Sequence, residues 1–269
     1  MSSVSKAMTL LNHFSEARPE IGLSQLCRMA GRDKATTYRH LQALETIGFI
    51  EQNRTTKHYR LGPAFLHFAH VREATVPRKD AANTALRALA NVTGETAHVT
   101  VLSGTTLYGL CACESPHHGM RAVIDINIFP LHATASGLCA LAFGPPALFD
   151  AATANLTGFT PATPTTADEL TSVIERTRAT GFACADQSYE NEVQGIAAPI
   201  FDHTGLLAGA VAVASVASRC TPSLEQTIKA ELILAAGDIS RNWGGTIPTA
   251  IEAAWARSVK LPNVMDATA

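Results

Sequence analysis

Apolar and polar positions divide the chain into two textures. Up to about residue 91 the apolar residues recur every three or four positions, the period of helices with one buried stripe. Val4, Met8, Leu11 and Phe14 form the first stripe. Ser24 is read as the N-cap of a short helix over 25–30, with Leu23 placed to staple it. Gly31 interrupts the pattern, and Asp33 is positioned to cap the helix that follows. In that helix Tyr38, Leu41 and Leu44 are expected to point inward, leaving Ala35, Thr36, Arg39 and His40 outside. Gly48 ends the helix. Two strands are predicted near 49–52 and 58–61, around a polar tip of Arg54, Thr55, Thr56 and Lys57.

Pro63 and Pro77 bracket another helix, with Phe65, Phe68 and Val71 available for packing, and a further helix is predicted over 80–91. Beyond Gly94 the pattern changes to alternation. Strands are predicted at 97–102, at 105–113 after a Ser-Gly-Thr turn, and at 206–216. In the last of these Val211 and Val213 share one face while Ala210, Ala212 and Ala214 share the other. A face lined only by methyl groups suits either a closely packed helix or a small ligand. Segments 168–181 and 223–242 supply amphipathic helices, so the class is α+β rather than a doubly wound sheet.

A chain of 269 residues, 46% apolar, is comfortable for two domains with sizeable cores. It has no apolar run of transmembrane length, and its first residues lack the long apolar region of a signal peptide. Six cysteines without such a signal point to reduced thiols and a cytoplasmic protein. The net charge of −2 conceals a division: residues 1–80 hold twelve Lys/Arg against seven Asp/Glu, and residues 81–269 hold nine against sixteen. A basic module precedes an acidic one, and the basic part suits a polyanion.

Helix, short helix, tight turn, helix and basic hairpin is the order of a winged helix-turn-helix. The second helix of that motif enters the major groove, which gives the exposed residues of 33–50 a purpose. Small Ala35 and Thr36 allow close approach; Lys34, Arg39 and His40 donate to phosphates or guanine edges. Thr37, nearer the buried side, is a packing residue or a phosphate contact. Arg54, Lys57 and Arg60 in the wing track the backbone or the minor groove. The two helices that follow suit a dimer interface, and a dimer implies double-stranded DNA with a pseudo-palindromic operator.

The run SVSKAMTLLNHF, continued by LSQLCRMAGRDKATTYRHLQALETIGFIEQ and YRLG, resembles the IclR family of bacterial transcriptional regulators. TGETAHVTVL, FPLHATASG and GFACADQSYENEVQGIAAPIFDHTG extend the resemblance over roughly residues 4–242. It implies a winged helix-turn-helix over 1–62, a linker helix over 63–79, and a GAF-like effector-binding domain over 80–242 that senses a small metabolite, in a homodimer or homotetramer. Residues 243–269 form a C-terminal extension. The resemblance places the effector among Ala133, Thr134, Ala135, Ser136, Asp186, Gly195, Ala212 and Ala214. Ser136 either receives an anion or carbonyl at a helix start or caps that helix. Family members commonly carry Lys at the position of Leu138 and Gly at that of Glu192. Those holding small keto-acids often have Cys or Ser where this chain has Gly195, Ala212 and Ala214. The departures predict a roomier, more apolar pocket and a bulkier or aromatic ligand. No cofactor is expected.

Two rival chemistries are present in the sequence. Cys111, Cys113, His117 and His118 are possible ligands for zinc or another soft metal, although their spacing fits no finger pattern. His132 and Ser136, with Asp186 as a third member, suggest a nucleophile and its base. No GxSxG, Walker A or GxGxxG sequence accompanies them, so an enzyme is not expected. In the extension, Ile247, Ile251 and Trp255 suggest a short helix against a partner subunit, with a frayed tail as the alternative.

Overall fold

The structure, a computed structural model, describes residues 2–15 and 17–259. The chain divides into two compact units, Met1–Pro77 and Arg78–Ala269.

In the first unit, helix α1 (Ser3–Met8) tightens into a 3-10 turn, Thr9–His13, followed by α2 (Leu23–Ala30) and α3 (Lys34–Thr46). Strands β1 (Ile50–Gln52) and β2 (Tyr59–Leu61) pair antiparallel as the wing, and α4 (Ala64–Thr75) follows. Leu10, Ile21, Leu26, Leu41, Leu44, Ile50 and Tyr59 form the core.

The expected first stripe is corrected here. Val4 and Met8 are exposed, Leu11 and Phe14 pack half-buried against the core as expected, and the fully buried residue is Leu10. A 3-10 turn advances 120° per residue rather than 100°, so the tightening at Thr9 brings Leu10 into the core. Helix α2 also starts earlier than expected. Its N-cap is Gly22, with no side-chain cap, and Ser24 lies inside the helix. Gly31 adopts φ +61° and ends α2 in the left-handed conformation that glycine permits. Asp33 then caps α3 by accepting from Thr36 N–H at 2.8 Å. Helix α4 packs on the first unit through Phe65 and Phe68, whose rings lie 4.9 and 5.5 Å from that of Phe49.

The second unit is built on an antiparallel five-stranded sheet. Helix α5 (Arg78–Thr93) leads into β3 (Thr96–Ser103) and β4 (Thr106–Cys113). Helices α6 (Ala135–Phe143), α7 (Ala147–Thr153) and α8 (Ala167–Thr180) come next. Strands β5 (Ala183–Asp186), β6 (Val193–Phe201) and β7 (Leu207–Val216) complete the sheet, whose order is β4-β3-β7-β6-β5. Helices α9 (Pro222–Asn242) and α10 (Thr249–Ser258) close the described chain.

Ala212 pairs with His98 and Ala197, and Ala214 with Thr96 and Gly195, so the alanine face of β7 continues across its neighbours. Helix α6 packs on that face; α5 and α9 pack together on the sheet with Val211 and Val213. Gly137 lets α6 lie close against the turn that precedes it, because a Cβ there would lie 2.4 Å from the Pro130 carbonyl oxygen and 2.6 Å from Leu131 Cα. Helix α10 packs on its own unit: the Trp255 indole donates to the Gly181 carbonyl at 2.8 Å and stacks on Phe182. This replaces the expected partner-subunit contact of Ile251 and Trp255, both of which are buried. The rest of the predicted extension, 260–269, lies outside the described residues.

Candidate functional site

The outward face of α3 presents Lys34, Ala35, Tyr38, Arg39 and Gln42, all exposed, with Thr36 half-buried beside them. Two expectations are corrected. Tyr38 is 44% exposed and His40 only 5% exposed, the reverse of the sequence reading. At 100° per residue, Thr37, His40, Leu41 and Leu44 fall within one narrow stripe, from which Tyr38 is displaced by about a quarter turn. The Tyr38 hydroxyl accepts from Gln42 Nε2 at 3.1 Å, which ties two outward side chains together. Thr37 is fully buried, and its hydroxyl donates to the Asp33 carbonyl at 2.9 Å. His40 faces the α1 side, with Nε2 3.4 Å from Ser3 Oγ. Burial holds its imidazole below the usual histidine range, and the charges of Arg32, Arg39 and Lys6 act in the same direction.

In the wing, Arg54 and Lys57 are exposed at the tip, where Lys57 takes φ +60°. Asn53 builds this turn by accepting from Thr55 and Thr56 N–H. Arg60 sits differently from the sequence expectation. Its Nε donates to Glu51 at 2.6 Å, and Glu20 lies 3.7 Å away, so local carboxylates already neutralise its charge.

In the second unit a cavity of about 60 Å³ opens between α6 and the alanine face. Its wall includes Ala133, Thr134, Ala135, Gly195 and Ala214, five of the eight residues expected there. Ser136 and Ala212 lie outside the wall, and Asp186 borders a separate depression with Cys184, Arg176 and Lys229. The expectation of a roomy pocket is corrected too. A Cβ on Gly195 would lie only 3.1 Å from Ala135 Cβ, so α6 has filled the space that the small residues vacate. The cavity is smaller than the ~150 Å³ void known to take up benzene in another protein.

His98 is the residue that the sequence reading missed. It lines the cavity, stacks on Phe129 at 5.1 Å, and places Nε2 3.1 Å from Ser136 Oγ. Burial pushes its imidazole down to about 4, so the ring is neutral at physiological pH. Its Nδ1 has no hydrogen-bond partner among the described residues. The available signal was the alternation of 97–101, whose polar positions His98 and Thr100 pair with Ala212 and Ala210 on the alanine side. Thr134, rather than Ser136, caps α6 by accepting from Gly137 N–H at 3.0 Å.

The rival constellations do not assemble. His132 Nε2 lies 2.9 Å from the Thr157 carbonyl, while Ser136 is engaged by His98 on the other side. Cys111 and Cys113 pack against the hydrophobic core, and His117 Nε2 lies 3.3 Å from the Asn91 carbonyl. Among the described residues no three His, Cys, Asp or Glu side chains are grouped to hold a metal. No helix among them is long and apolar enough to cross a membrane.

Comparison with known proteins decides the family. The model for the IclR helix-turn-helix domain matches residues 3–54, and that for the C-terminal part of bacterial IclR transcriptional regulators matches residues 74–241. The chain belongs to the IclR family. It is thus a DNA-binding transcriptional regulator of α+β architecture and not an enzyme. This IclR regulator is 27% identical to the HTH-type transcriptional regulator XynR of Escherichia coli K12, over 91% of this chain and 98% of that one. It shares 39% identity and a TM-score of 0.87 with the crystal structure of an IclR transcriptional regulator of Silicibacter sp. TM1040, covering 93% and 99% of the two chains. An IclR homologue from Microbacterium hydrocarbonoxydans, crystallised with 4-hydroxybenzoate, has the same fold at 21% identity and TM-score 0.71, covering 90% and 99%.

Proposed function

We propose that this regulator reads an operator through Lys34, Ala35, Thr36, Tyr38, Arg39 and Gln42 on the outward face of α3. Arg54 and Lys57 contact the backbone from the wing. The observation that carries the reading is the exposed outer face of α3, where Lys34 and Arg39 stand and no carboxylate follows the capping Asp33 until Glu45 in the last turn, beside a wing tip whose Arg54 and Lys57 form no ion pair among the described residues. Thr37 and His40 support the helix from within, and Arg60 adds little because Glu51 and Glu20 already face it.

The cavity against α6 is the effector site in this proposal, with Ala133, Thr134, Ala135, Gly195 and Ala214 in its wall and His98 as its polar floor. The 4-hydroxybenzoate complex of the Microbacterium homologue supports a small-molecule site on this scaffold. Ser136 acts through His98, and Ala212 provides the flat surface on which α6 sits. Effector binding shifts operator affinity by its difference in affinity for two arrangements of the protein. The protein acts in the cytoplasm as a homodimer or homotetramer on a pseudo-palindromic site, since one small DNA-binding module rarely holds an operator alone.

A titration of the full chain with DNA from upstream of its own gene, over several salt concentrations, tests the reading. Tight binding that competes out only with the same sequence is expected. Weak binding with no sequence preference, erased by modest salt, overturns it for that DNA.

A further inference from the structure

The cavity wall contains two carboxylates and, among the described residues, no lysine or arginine. Asp125 and Glu190 are both exposed and stand at its mouth, whereas His98, Ala133 and Thr134 are buried at its depth. Neither carboxylate forms an ion pair among the described residues, although five other Asp/Glu side chains of this unit do. Partial burial pushes the Glu190 carboxyl up, and the charge of Asp125 pushes it the same way. Two like charges therefore face one opening without a counter-charge. Tyr189 adds an aromatic face to the same wall.

An acidic mouth alone would be an ordinary solvated surface. The second observation lies inside. Among the described residues the one hydrogen-bond partner of the buried Ser136 hydroxyl is Nε2 of His98, which is neutral. In the tautomer that leaves the Ser136 hydroxyl hydrogen satisfied, that hydrogen goes to Nε2 and the proton of the imidazole sits on Nδ1. That N–H is buried, belongs to a residue of the cavity wall, and has no acceptor among the described residues. A buried donor without an acceptor costs free energy that a bound molecule recovers by supplying one.

We propose that the effector carries an ammonium group, held between Asp125 and Glu190 at the cavity mouth, and a carbonyl or carboxylate oxygen that accepts from Nδ1 of His98. The inference rests on the effector reading of this cavity. It assigns a compact amine-bearing or zwitterionic class, and it excludes simple anions, which two unpaired carboxylates would repel. Tyr189 offers the cation an aromatic face.

Two pairs of compounds matched in shape provide the test: glycine betaine against tert-butylacetate, and γ-aminobutyrate against valerate. Each pair differs chiefly in whether the far end is cationic. Thermal unfolding and calorimetric titration of the full chain should show at least one ammonium compound binding more than about tenfold tighter than its carbon isostere. Asp125→Asn/Glu190→Gln should remove that preference while operator binding persists. Isosteres that bind as well or better, or no response to either ammonium compound, overturn the proposal. Stabilisation by the isosteres alone would leave an effector cavity in place and remove only the amine. Loss of operator binding by the wild-type chain would instead strike the reading beneath it.

Discussion

Nε2 of His98 on β3 lies 3.1 Å from Oγ of Ser136 on α6, and this contact joins the sheet to the helix that covers its alanine face. Both residues are buried, with 5% and 0% exposure. Burial of that imidazole makes the second unit sensitive to pH. The folded imidazole titrates near 4 and the unfolded one near 6.5, so only the unfolded chain takes up this proton between those values. The stability held above pH 6.5 therefore falls as pH drops from 6.5 towards 4, and then levels. At about 1.4 kcal/mol per unit of pKa difference, the loss approaches roughly 3 kcal/mol. Denaturant titrations between pH 7.5 and 4.5 should show a steeper decline for wild type than for His98→Gln. Parallel declines would remove the histidine from the account.

Glu95 is 1% exposed, and Arg219 grips both its oxygens at 2.8 Å. The pair joins the start of β3 to the short 3-10 turn after β7. Arg219→Met strands a buried carboxylate and should cost about 3 kcal/mol, measured as a lowered urea midpoint. Adding Glu95→Gln to that variant should restore part of the loss. A single variant within about 0.5 kcal/mol of wild type would show that water already solvates Glu95.

Gly137→Ala places a methyl group against the Pro130 carbonyl and the Leu131 backbone. Neither neighbour is the free end of a flexible side chain, so α6 must move away from the preceding turn. A loss of at least about 2 kcal/mol is expected, read as a lowered urea midpoint. Thr134→Ala, which removes the N-cap of the same helix, should cost only about 1 kcal/mol. The reverse ranking would mean that the cap, not the close approach, seats the helix.

Arg60 and Arg54 are both wing cations, yet among the described residues only Arg60 is faced by carboxylates. Arg54→Ala should reduce the salt dependence of DNA binding by about one counterion, while Arg60→Ala should change it much less. Binding isotherms at four or five salt concentrations distinguish the two. A larger effect at Arg60 would indicate that the wing rearranges on DNA to release it from Glu51.

The winged helix-turn-helix order was legible because its punctuation is local. Gly31 and Asp33 act within one turn of helix, and Asn53 to Lys57 form a short polar tip. The facing of α3 was not, since Tyr38 is large and partly apolar and so reads as a core residue, while buried His40 reads as polar surface. Strand β6 gave no alternation. Gly195, Ala197, Ala198 and Pro199 are small or apolar on both faces, as buried strands are. The cavity was legible in part. Its alanine and glycine walls lie within the HATASG loop and the central strands, but volume depends on how closely α6 approaches, which no local pattern encodes. The carboxylates Asp125 and Glu190 come from separate irregular segments, and only the fold brings them to one opening.

The central claim is that the outward face of α3 reads DNA while the wing holds its backbone. Comparing wild type, Arg39→Ala and Lys57→Ala on one operator, across a range of salt, tests it most directly. Arg39→Ala should weaken specific binding by roughly 1–3 kcal/mol and narrow the gap between operator and unrelated DNA. Lys57→Ala should weaken both DNAs alike and flatten the salt slope by about one. If all three proteins bind both DNAs equally across the whole salt range, the face is not a recognition surface and the account fails.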